Sequence, residues 1–170
     1  MSTADLVVAL GQTLRRNQRM LVCAESCTGG LIAAACTGVA GSSDWFERGF
    51  VCYSDAAKSE MLDVDAQLIS SCGAVSREVA CAMAAGALAR SHADLALAVT
   101  GIAGPSGATP GKPVGTVWFA WARRGEEPQA ELLKLPGDRA AVREQAVLHV
   151  LRRARSLADA ATIVSRGSPR

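Results

Sequence analysis

The segment Leu95–Thr100 (LALAVT) constrains the fold most, because it contains no charged residue and does not alternate between apolar and polar side chains. Such a segment predicts a strand buried on both faces, as in a sheet that helices cover on both sides. An alanine-rich helix is predicted before it at Arg77–Ser91, with Ser76 as N-cap, and its alanines and Gly86 indicate close packing against the sheet. A loop rich in glycine and proline follows at Gly101–Pro113. We therefore expect this strand to lie at the centre of a layered fold.

The other predicted elements alternate between helices and strands over the first two thirds of the chain, and two adjacent strands follow. This order predicts an α/β class protein, a single-domain layered α/β/α sandwich with a mixed sheet. We expect the domain to span residues 1–165, with a disordered tail at 166–170. The other predicted strands are Arg19–Ala24, Glu47–Tyr53, Gly115–Ala122 and Gln129–Leu135. The other predicted helices are a first helix capped by Ser2, then Thr28–Thr37, a helix from Ser54 or Asp55 to Met61, Asp65–Ser71 and Asp138–Asp159.

Length, charge and cysteine use limit the classes of function. The chain has 170 residues and a net charge of +2, so it carries no large positive field for nucleic acid. It has no apolar run long enough to span a bilayer, no secretory pattern and no C-x-x-C pair among its six cysteines. We therefore expect a cytoplasmic protein without membrane or nucleic-acid partners. We also expect no metal site, because His92 and His149 lie far in sequence from any cysteine pair with ligand spacing.

The segment AESCTGG, Ala24–Gly30, connects a predicted strand to a predicted helix. The backbone N–H groups of Cys27–Gly30 would lack partners within the helix and would face whatever lies before it. Ser26 would lie beside these groups, which is the arrangement of a nucleophile next to an oxyanion hole. Ser26 or Thr28 could instead cap the helix, and the segment by itself does not distinguish these roles.

A serine nucleophile needs a base, and the chain offers few candidates. We expect His92 and His149 to be surface or packing residues, because one follows a helix end and the other lies among apolar residues of a long helix. Lys58 is one of three lysines and lies five residues after Tyr53, the only tyrosine. If Tyr53 ends a strand and Lys58 lies one turn into the next helix, both can face one edge of the sheet, where a desolvated amine could accept a proton. A solvated lysine and an amphipathic tyrosine are the alternative.

Two further segments have the composition of an anion-binding site. The glycine-rich segment Thr100–Gly115 follows the buried strand; it lacks the Walker spacing, but its backbone groups could hold a ribose or a phosphate. Arg139 and Arg143 are four residues apart at the start of the last helix and share one face. They could clamp an anion or be solvated.

Taken in order, these segments resemble the CinA C-terminal domain family. The resemblance runs from about Leu6 to Leu151 and is carried by AESCTGG, GSSDWF, GFVCYSDAAK, GAVSREVA, TGIAGPSG, KPVGTV and PGDRAAVRE. It implies a nicotinamide-nucleotide amidase, which converts nicotinamide mononucleotide to nicotinate mononucleotide and ammonia in pyridine nucleotide recycling. Larger CinA proteins carry a further N-terminal domain that nothing here matches, so the resemblance implies the stand-alone form.

The resemblance also implies a serine nucleophile supported by a tyrosine and a lysine, with no metal and no cofactor. The matching residues are Ser26, Tyr53 and Lys58. Asp55 stands where the family often has asparagine, which bears on substrate affinity more than on the chemistry. The expected oxyanion and substrate-binding residues are Cys27, Thr28, Gly29, Gly30, Gly41, Ser42, Thr100, Gly101, Ala103, Gly104, Arg139 and Arg143.

Several alternatives stay open at this point. Cys27 could be the nucleophile, because a thiolate is favoured at a helix N-terminus. The chain could also be a non-catalytic nucleotide-binding module of the competence and damage-inducible family. We expect a homo-oligomer, since small apolar domains of this type often pair. The aromatic residues Trp118, Phe119 and Trp121 could serve that interface, but we expect them in the core on alternate faces of a strand.

Overall fold

A mixed sheet of five strands lies at the centre of the structure. The computed structural model describes residues 1–160, so the expected domain boundary at residue 165 and the expected disordered tail lie outside the described residues. The strands are β1 (Leu21–Glu25), β2 (Phe46–Val51), β3 (Leu95–Gly101), β4 (Thr116–Arg123) and β5 (Gln129–Lys134). Their order in the sheet is β2-β1-β3-β4-β5. The strand β1 runs parallel to β2 and β3, whereas β4 runs antiparallel to β3 and β5.

Helices cover both faces of this sheet. They are α1 (Thr3–Arg16), α2 (Leu31–Thr37), α3 (Asp55–Leu62), α4 (Ala66–Cys72), α5 (Arg77–Ala89) and α6 (Arg139–Ala160). One face packs against α1, α2 and α6, and the other packs against α3, α4 and α5. The predicted α/β/α sandwich with a mixed sheet is therefore confirmed. Within residues 1–160, no helix combines the length and the apolar character needed to cross a membrane.

The central strand β3 is buried on both faces, as its sequence predicted. Leu95, Leu97 and Val99 belong to the core on the side of α1, α2 and α6. Ala96 and Ala98 belong to the core on the opposite side, where their small side chains leave room for α5 to approach. The alternation along β3 therefore divides its side chains between the two cores.

The aromatic residues of β4 also alternate between the two cores. Phe119 and Trp121 are buried in the core beneath α1 and α6, whereas Trp118 packs against the core beneath α5. The expectation that these side chains are core residues on alternate faces of a strand is confirmed.

The glycine in α5 has a different packing partner from the predicted one. Ala80, Ala84 and Ala87 do face the sheet. A Cβ at Gly86, however, would overlap the carbonyl oxygen of Leu62, the last residue of α3. The prediction that Gly86 packs against the sheet is therefore wrong, and this glycine instead allows α5 to approach the end of α3.

The start of α2 also differs from the prediction, because the helix begins at Leu31 and not at Thr28. Strand β1 continues through Glu25, one residue further than predicted. Gly29 and Gly30 have φ angles of +56° and +100°, in the left-handed region that glycine tolerates best. A tight turn of non-helical residues therefore separates β1 from α2.

One edge of the sheet collects the segments that the sequence singled out. The parallel strands β1, β2 and β3 all end there, and the register pairs Glu25 of β1 with Val51 of β2 and with Val99 of β3. The helix α6 begins beside this edge, because the guanidinium of Arg139 donates a hydrogen bond to the carbonyl of Gly104. Three loops and one helix start therefore surround the carboxyl ends of these strands.

Candidate active site

Ser26 and Lys58 are in direct contact at the carboxyl edge of the sheet. Lys58 Nζ donates a hydrogen bond of 3.1 Å to Ser26 Oγ and another of 3.0 Å to the backbone carbonyl of Tyr53. Asp55 Oδ1 lies 3.9 Å from the same nitrogen. Lys58 is only 1% exposed and Ser26 is 8% exposed. An amine bound to a buried serine hydroxyl is placed to exchange a proton with it.

The local sequence explains how these two side chains meet. Ser54 caps α3, since its hydroxyl accepts a hydrogen bond from the backbone N–H of Ala57 at 3.0 Å. Lys58 therefore lies in the first turn of α3, where the sequence predicted it, and its side chain reaches under the backbone of Tyr53. The backbone N–H of Ser26 continues the sheet pairing by donating to the carbonyl of Val99 at 3.0 Å. The cap and the sheet thus fix the two partners independently.

Tyr53 uses its backbone and its side chain for different contacts. Its carbonyl accepts from Lys58, whereas its hydroxyl accepts from Arg139 Nη2 at 3.2 Å. The other terminal nitrogen of this guanidinium donates to the Gly104 carbonyl at 2.9 Å. The tyrosine is 60% exposed, so its ring lies at the rim of the site and Arg139 joins it to the loop after β3.

A cleft of about 350 Å³ opens over Ser26 and Lys58. A second pocket of about 690 Å³ adjoins it and shares Ala103 and Arg139 with it. The predicted site residues that line the cleft are Ser26, Cys27, Tyr53, Lys58, Thr100, Gly101, Ala103, Gly104 and Arg139. The glycine-rich loop after β3 and the turn after β1 are therefore brought together, as the sequence predicted.

Gly41 and Ser42 do not reach this cleft. They precede β2 and so lie at the amino edge of the parallel strands, where the Trp45 carbonyl accepts from the N–H of Leu21 at 2.7 Å. The five residues of β1 separate the two edges by roughly 16 Å, at about 3.3 Å per residue. The expectation that Gly41 and Ser42 bind substrate in this cleft is therefore wrong. The carbonyl of Gly41 accepts a hydrogen bond from Arg15 instead.

A carboxylate that the sequence analysis did not select organises the turn after β1. Glu25 is fully buried, and its Oε1 accepts from Thr28 Oγ1 at 2.7 Å and from the N–H groups of Gly30 and Ile32 at 3.2 and 2.9 Å. Its Oε2 accepts from the N–H of Ala33 at 3.0 Å. The signal was a carboxylate just before a helix start, where the free N–H groups attract a negative charge. It was missed because the strand was predicted to end one residue earlier.

These contacts correct the expected set of free N–H groups. Gly30 donates to Glu25, and Gly29 donates to the carbonyl of Ser26 at 3.1 Å, so neither N–H is free as predicted. The N–H groups of Cys27 and Thr28 have no acceptor within residues 1–160. Thr28 is fully buried and does not line the cleft, so of the predicted donors only the N–H of Cys27 is left to meet a ligand there.

Arg143 holds the same turn from the other side. Its Nε donates to the carbonyl of Cys27 and its Nη2 donates to the carbonyl of Thr28, both at 3.1 Å. Arg139 lies one helical turn earlier and faces Tyr53 and Gly104. The two arginines share one face of α6, as predicted, and Arg143 uses that position to bind backbone carbonyls. Both also line the larger pocket.

Cys27 is poorly suited to act as a thiolate. Burial raises the pKa of its thiol to about 11, which outweighs the opposing effects of the backbone N–H of Cys27 itself and of the nearby positive charge of Arg143. The thiol therefore stays protonated at neutral pH. Burial therefore disfavours the thiolate that the alternative with Cys27 as nucleophile requires.

The histidines lie outside the cleft. His92 is exposed, and His149 packs on the Phe119 ring at 4.6 Å between centroids while its Nε2 lies 2.7 Å from Glu131 Oε1. Burial raises the pKa of Glu131, but hydrogen bonds from His149 and Arg153 outweigh it and hold that pKa below its ordinary value. The expectation of surface and packing roles is confirmed. In the part of the chain that the structure describes, His, Cys, Asp and Glu side chains form no group of three or more able to hold a metal ion.

Comparison with known families and proteins identifies the family. The model of the CinA C-terminal domain matches residues 3–158. The chain belongs to this family. This member is 49% identical over 150 residues to the nicotinamide-nucleotide amidohydrolase PncC of Enterobacter agglomerans, covering 88% of the chain and 92% of that protein. It is 48% identical over 142 residues to the protein of the same name from Escherichia coli K12, covering 84% and 86%.

Longer relatives and solved structures belong to the same group. A CinA-like protein from Akkermansia muciniphila is 58% identical over 121 residues, which are 71% of this chain but only 29% of that protein. This CinA-domain chain therefore spans less than a third of that relative. The crystal structure of the competence/damage inducible protein CihA from Agrobacterium tumefaciens has a TM-score of 0.89 and 40% identity, covering 92% of this chain and 99% of that one.

Proposed function

We propose that this protein hydrolyses the carboxamide of nicotinamide mononucleotide to give nicotinate mononucleotide and ammonia. The observation that carries the proposal is the 3.1 Å contact between Lys58 Nζ and Ser26 Oγ in a cleft. The choice of substrate is supported by relatives named for this activity, which are 48% to 51% identical and align over 86% to 92% of their own length.

Ser26 supplies the nucleophile in the proposed reaction, and Lys58 carries the proton. Lys58 enters the reaction after its ammonium group has lost a proton, and its amine then takes the proton of Ser26 Oγ as the oxygen attacks the amide carbon. Lys58 then gives this proton to the amide nitrogen, the C–N bond breaks, and ammonia leaves an ester on Ser26. A water molecule attacks the ester, Lys58 accepts the proton of the water and returns it to Ser26 Oγ, and the carboxylic acid is released. One water is consumed and one ammonia is formed.

The Tyr53 carbonyl orients the amine in this mechanism. Its 3.0 Å hydrogen bond from Lys58 occupies one N–H of the amine and directs the nitrogen towards Ser26. The Tyr53 hydroxyl is held by Arg139 at the rim, where it can contact the bound substrate. Tyr53 therefore acts through both its backbone and its side chain.

The developing oxyanion needs hydrogen-bond donors beside Ser26. We assign this role to the N–H of Cys27, which has no acceptor within residues 1–160 and belongs to a residue that lines the cleft. The carbonyl of the same peptide group, that of Ser26, accepts a hydrogen bond from the N–H of Gly29 at 3.1 Å, which keeps this peptide group in a fixed orientation. The loop Thr100–Gly104 and the guanidinium of Arg139 line the rest of the cleft, and we assign to them the binding of the ribose and the phosphate.

Ammonia release from nicotinamide mononucleotide, measured with a coupled assay, tests this proposal. Ser26→Ala and Lys58→Ala should each lower kcat by at least about 10³-fold, since removal of a nucleophile or a base costs that much or more. His92→Gln is the matched control, because His92 is exposed and does not line the cleft. Near wild-type ammonia release by Ser26→Ala contradicts the mechanism. Nucleotide binding without ammonia release by the wild type favours the alternative of a non-catalytic binding module.

A further inference from the structure

Glu25 is an ionisable group in the fully buried interior, immediately before Ser26 in the chain. Its backbone is part of the sheet, since the Glu25 carbonyl accepts from the N–H of Cys52 at 2.9 Å. Its side chain points into the turn and the first residues of α2. The proposed mechanism gives this carboxylate no proton to carry, so its presence needs a separate explanation.

The cost of burying this carboxylate is offset mainly by the turn and by the first residues of α2. A buried carboxylate is strongly unfavourable unless hydrogen bonds satisfy its oxygens. The donors are the hydroxyl of Thr28 and the N–H groups of Gly30, Ile32 and Ala33, at 2.7 to 3.2 Å, together with the thiol of Cys23 on β1 at 3.6 Å. Each lies within eight residues of Glu25. The conformation of the turn and the burial of the carboxylate therefore depend on each other.

This arrangement fixes the position of Ser26 from both sides. On its N-terminal side, Ser26 is joined to β1 and its N–H is bound to Val99 of β3. On its C-terminal side, the carboxylate of Glu25 holds Thr28 and Gly30. These contacts also decide which N–H groups stay available, because the carboxylate takes that of Gly30.

We propose that Glu25 is a positioning residue for the nucleophile: its carboxylate holds the Ser26–Gly30 turn so that Ser26 Oγ faces Lys58 and the open N–H of Cys27 faces the cleft. The inference rests on the proposed function and adds to it. Glu25 touches neither the substrate nor the reacting atoms. It acts through the placement of Ser26, and a misplacement of about 1 Å commonly costs about 10²-fold in rate.

Glu25→Gln tests the proposal, because it keeps the size of the side chain and replaces one acceptor oxygen with an NH₂ donor. The less disruptive orientation of the glutamine keeps its oxygen at the position of Oε1, which accepts three hydrogen bonds. The NH₂ group then faces the N–H of Ala33, so two donors meet and this hydrogen bond is lost. We expect kcat for ammonia release to fall about 10²-fold while KM changes less than about threefold. Glu131→Gln is the matched control, since Glu131 is also a hydrogen-bonded, partly buried carboxylate but lies outside the cleft. It should keep kcat within about twofold of the wild type.

A second pair of variants covers the case in which Glu25→Gln does not fold. Thr28→Val removes the 2.7 Å hydrogen bond to Glu25 Oε1, and Thr28→Ser keeps a hydroxyl donor at that position. We expect Thr28→Ser to exceed Thr28→Val in kcat by at least about fivefold. Equal values for the two variants overturn the proposal, as does a folded Glu25→Gln variant with wild-type kcat or with a loss confined to KM.

A measurement without the nucleotide separates this inference from the proposed substrate. A fluorophosphonate, which phosphonylates activated serines with loss of fluoride, should label Ser26 in the wild type and in Glu131→Gln, and at least about tenfold more slowly in Glu25→Gln, as read by peptide mass spectrometry. This difference supports the positioning role even if the wild type releases no ammonia from nicotinamide mononucleotide. Equal labelling rates in wild type and Glu25→Gln overturn it, and so does the absence of labelling at Ser26 in the wild type.

Discussion

Lys58→Met separates the catalytic value of the buried amine from its value for stability. Lys58 is 1% exposed, and its amine makes two hydrogen bonds, at 3.0 and 3.1 Å. Its carboxylate neighbour Asp55 is 3.9 Å away and mostly exposed, so solvent screens that interaction. At about 1.5–3 kcal/mol for a hydrogen bond to a charged group, the two bonds contribute about 3–6 kcal/mol. Burial of a charged group costs several kcal/mol, which is of the same size.

Methionine occupies nearly the same volume without a charge. The substitution therefore removes both the stabilising hydrogen bonds of the amine and the cost of burying its charge. The Tyr53 carbonyl loses its hydrogen bond from Lys58 in this variant. It keeps a partner, because Ser26 Oγ can donate to it at 3.5 Å. We therefore expect Lys58→Met to have an unchanged free energy of unfolding or a gain of up to about 3 kcal/mol. Its kcat should fall at least about 10³-fold, because the base is gone.

Urea unfolding and ammonia release, measured on the same preparations, check both parts of this prediction. Lys58→Ala is the comparison variant, since it leaves a cavity and should lose about 2–4 kcal/mol of stability while losing activity equally. A loss of more than about 2 kcal/mol in Lys58→Met indicates that the amine mainly holds the fold. Retention of more than about a tenth of the wild-type kcat refutes its role as the base.

Three further predictions concern groups outside the proposed chemistry. The pKa of Glu131 is lowered in the folded state, so its carboxylate stabilises the protein above about pH 4 and loses this effect as the pH falls. The difference in free energy of unfolding between wild type and Glu131→Gln, measured by urea unfolding, should therefore become smaller from pH 7 to pH 3. Alkylation of Cys27 by iodoacetamide in the folded protein should be slow at pH 8 and accelerate towards pH 11, as read by peptide mass spectrometry, whereas rapid alkylation at pH 7 contradicts the buried thiol. Gly86→Ala should lower the free energy of unfolding by about 1–3 kcal/mol, since its Cβ overlaps the Leu62 carbonyl; unchanged stability contradicts this packing.

The fold could be predicted because local signals and the global pattern agree. The segment Leu95–Thr100 carries only short-range information, yet its lack of alternation already requires cover on both faces. The caps at Ser2, Ser54 and Ser76 are local hydrogen bonds, and all three are present in the structure. Such features depend on a few neighbouring residues and are therefore readable from the chain alone.

The candidate site could be predicted only in part, because its details depend on contacts between distant segments. The strand ends predicted that Tyr53 and Lys58 can face one edge of the sheet, whereas the pairing of Ser26 with Lys58 was implied by the family resemblance. The placement of Gly41 failed because a glycine-rich turn has the same composition at either edge, and only the direction of β2 decides between them. The burial of Cys27 depends on α6, which lies more than a hundred residues further along the chain.

Trapping of the acyl-enzyme tests the central claim most directly. The protein is mixed with nicotinamide mononucleotide, quenched in acid during turnover, digested and analysed by peptide mass spectrometry. The account predicts that the peptide with Ser26 and Cys27 carries the nucleotide less ammonia as an ester on Ser26, and that Ser26→Ala carries none. Release of ammonia without any adduct on Ser26, or an adduct on Cys27, contradicts it.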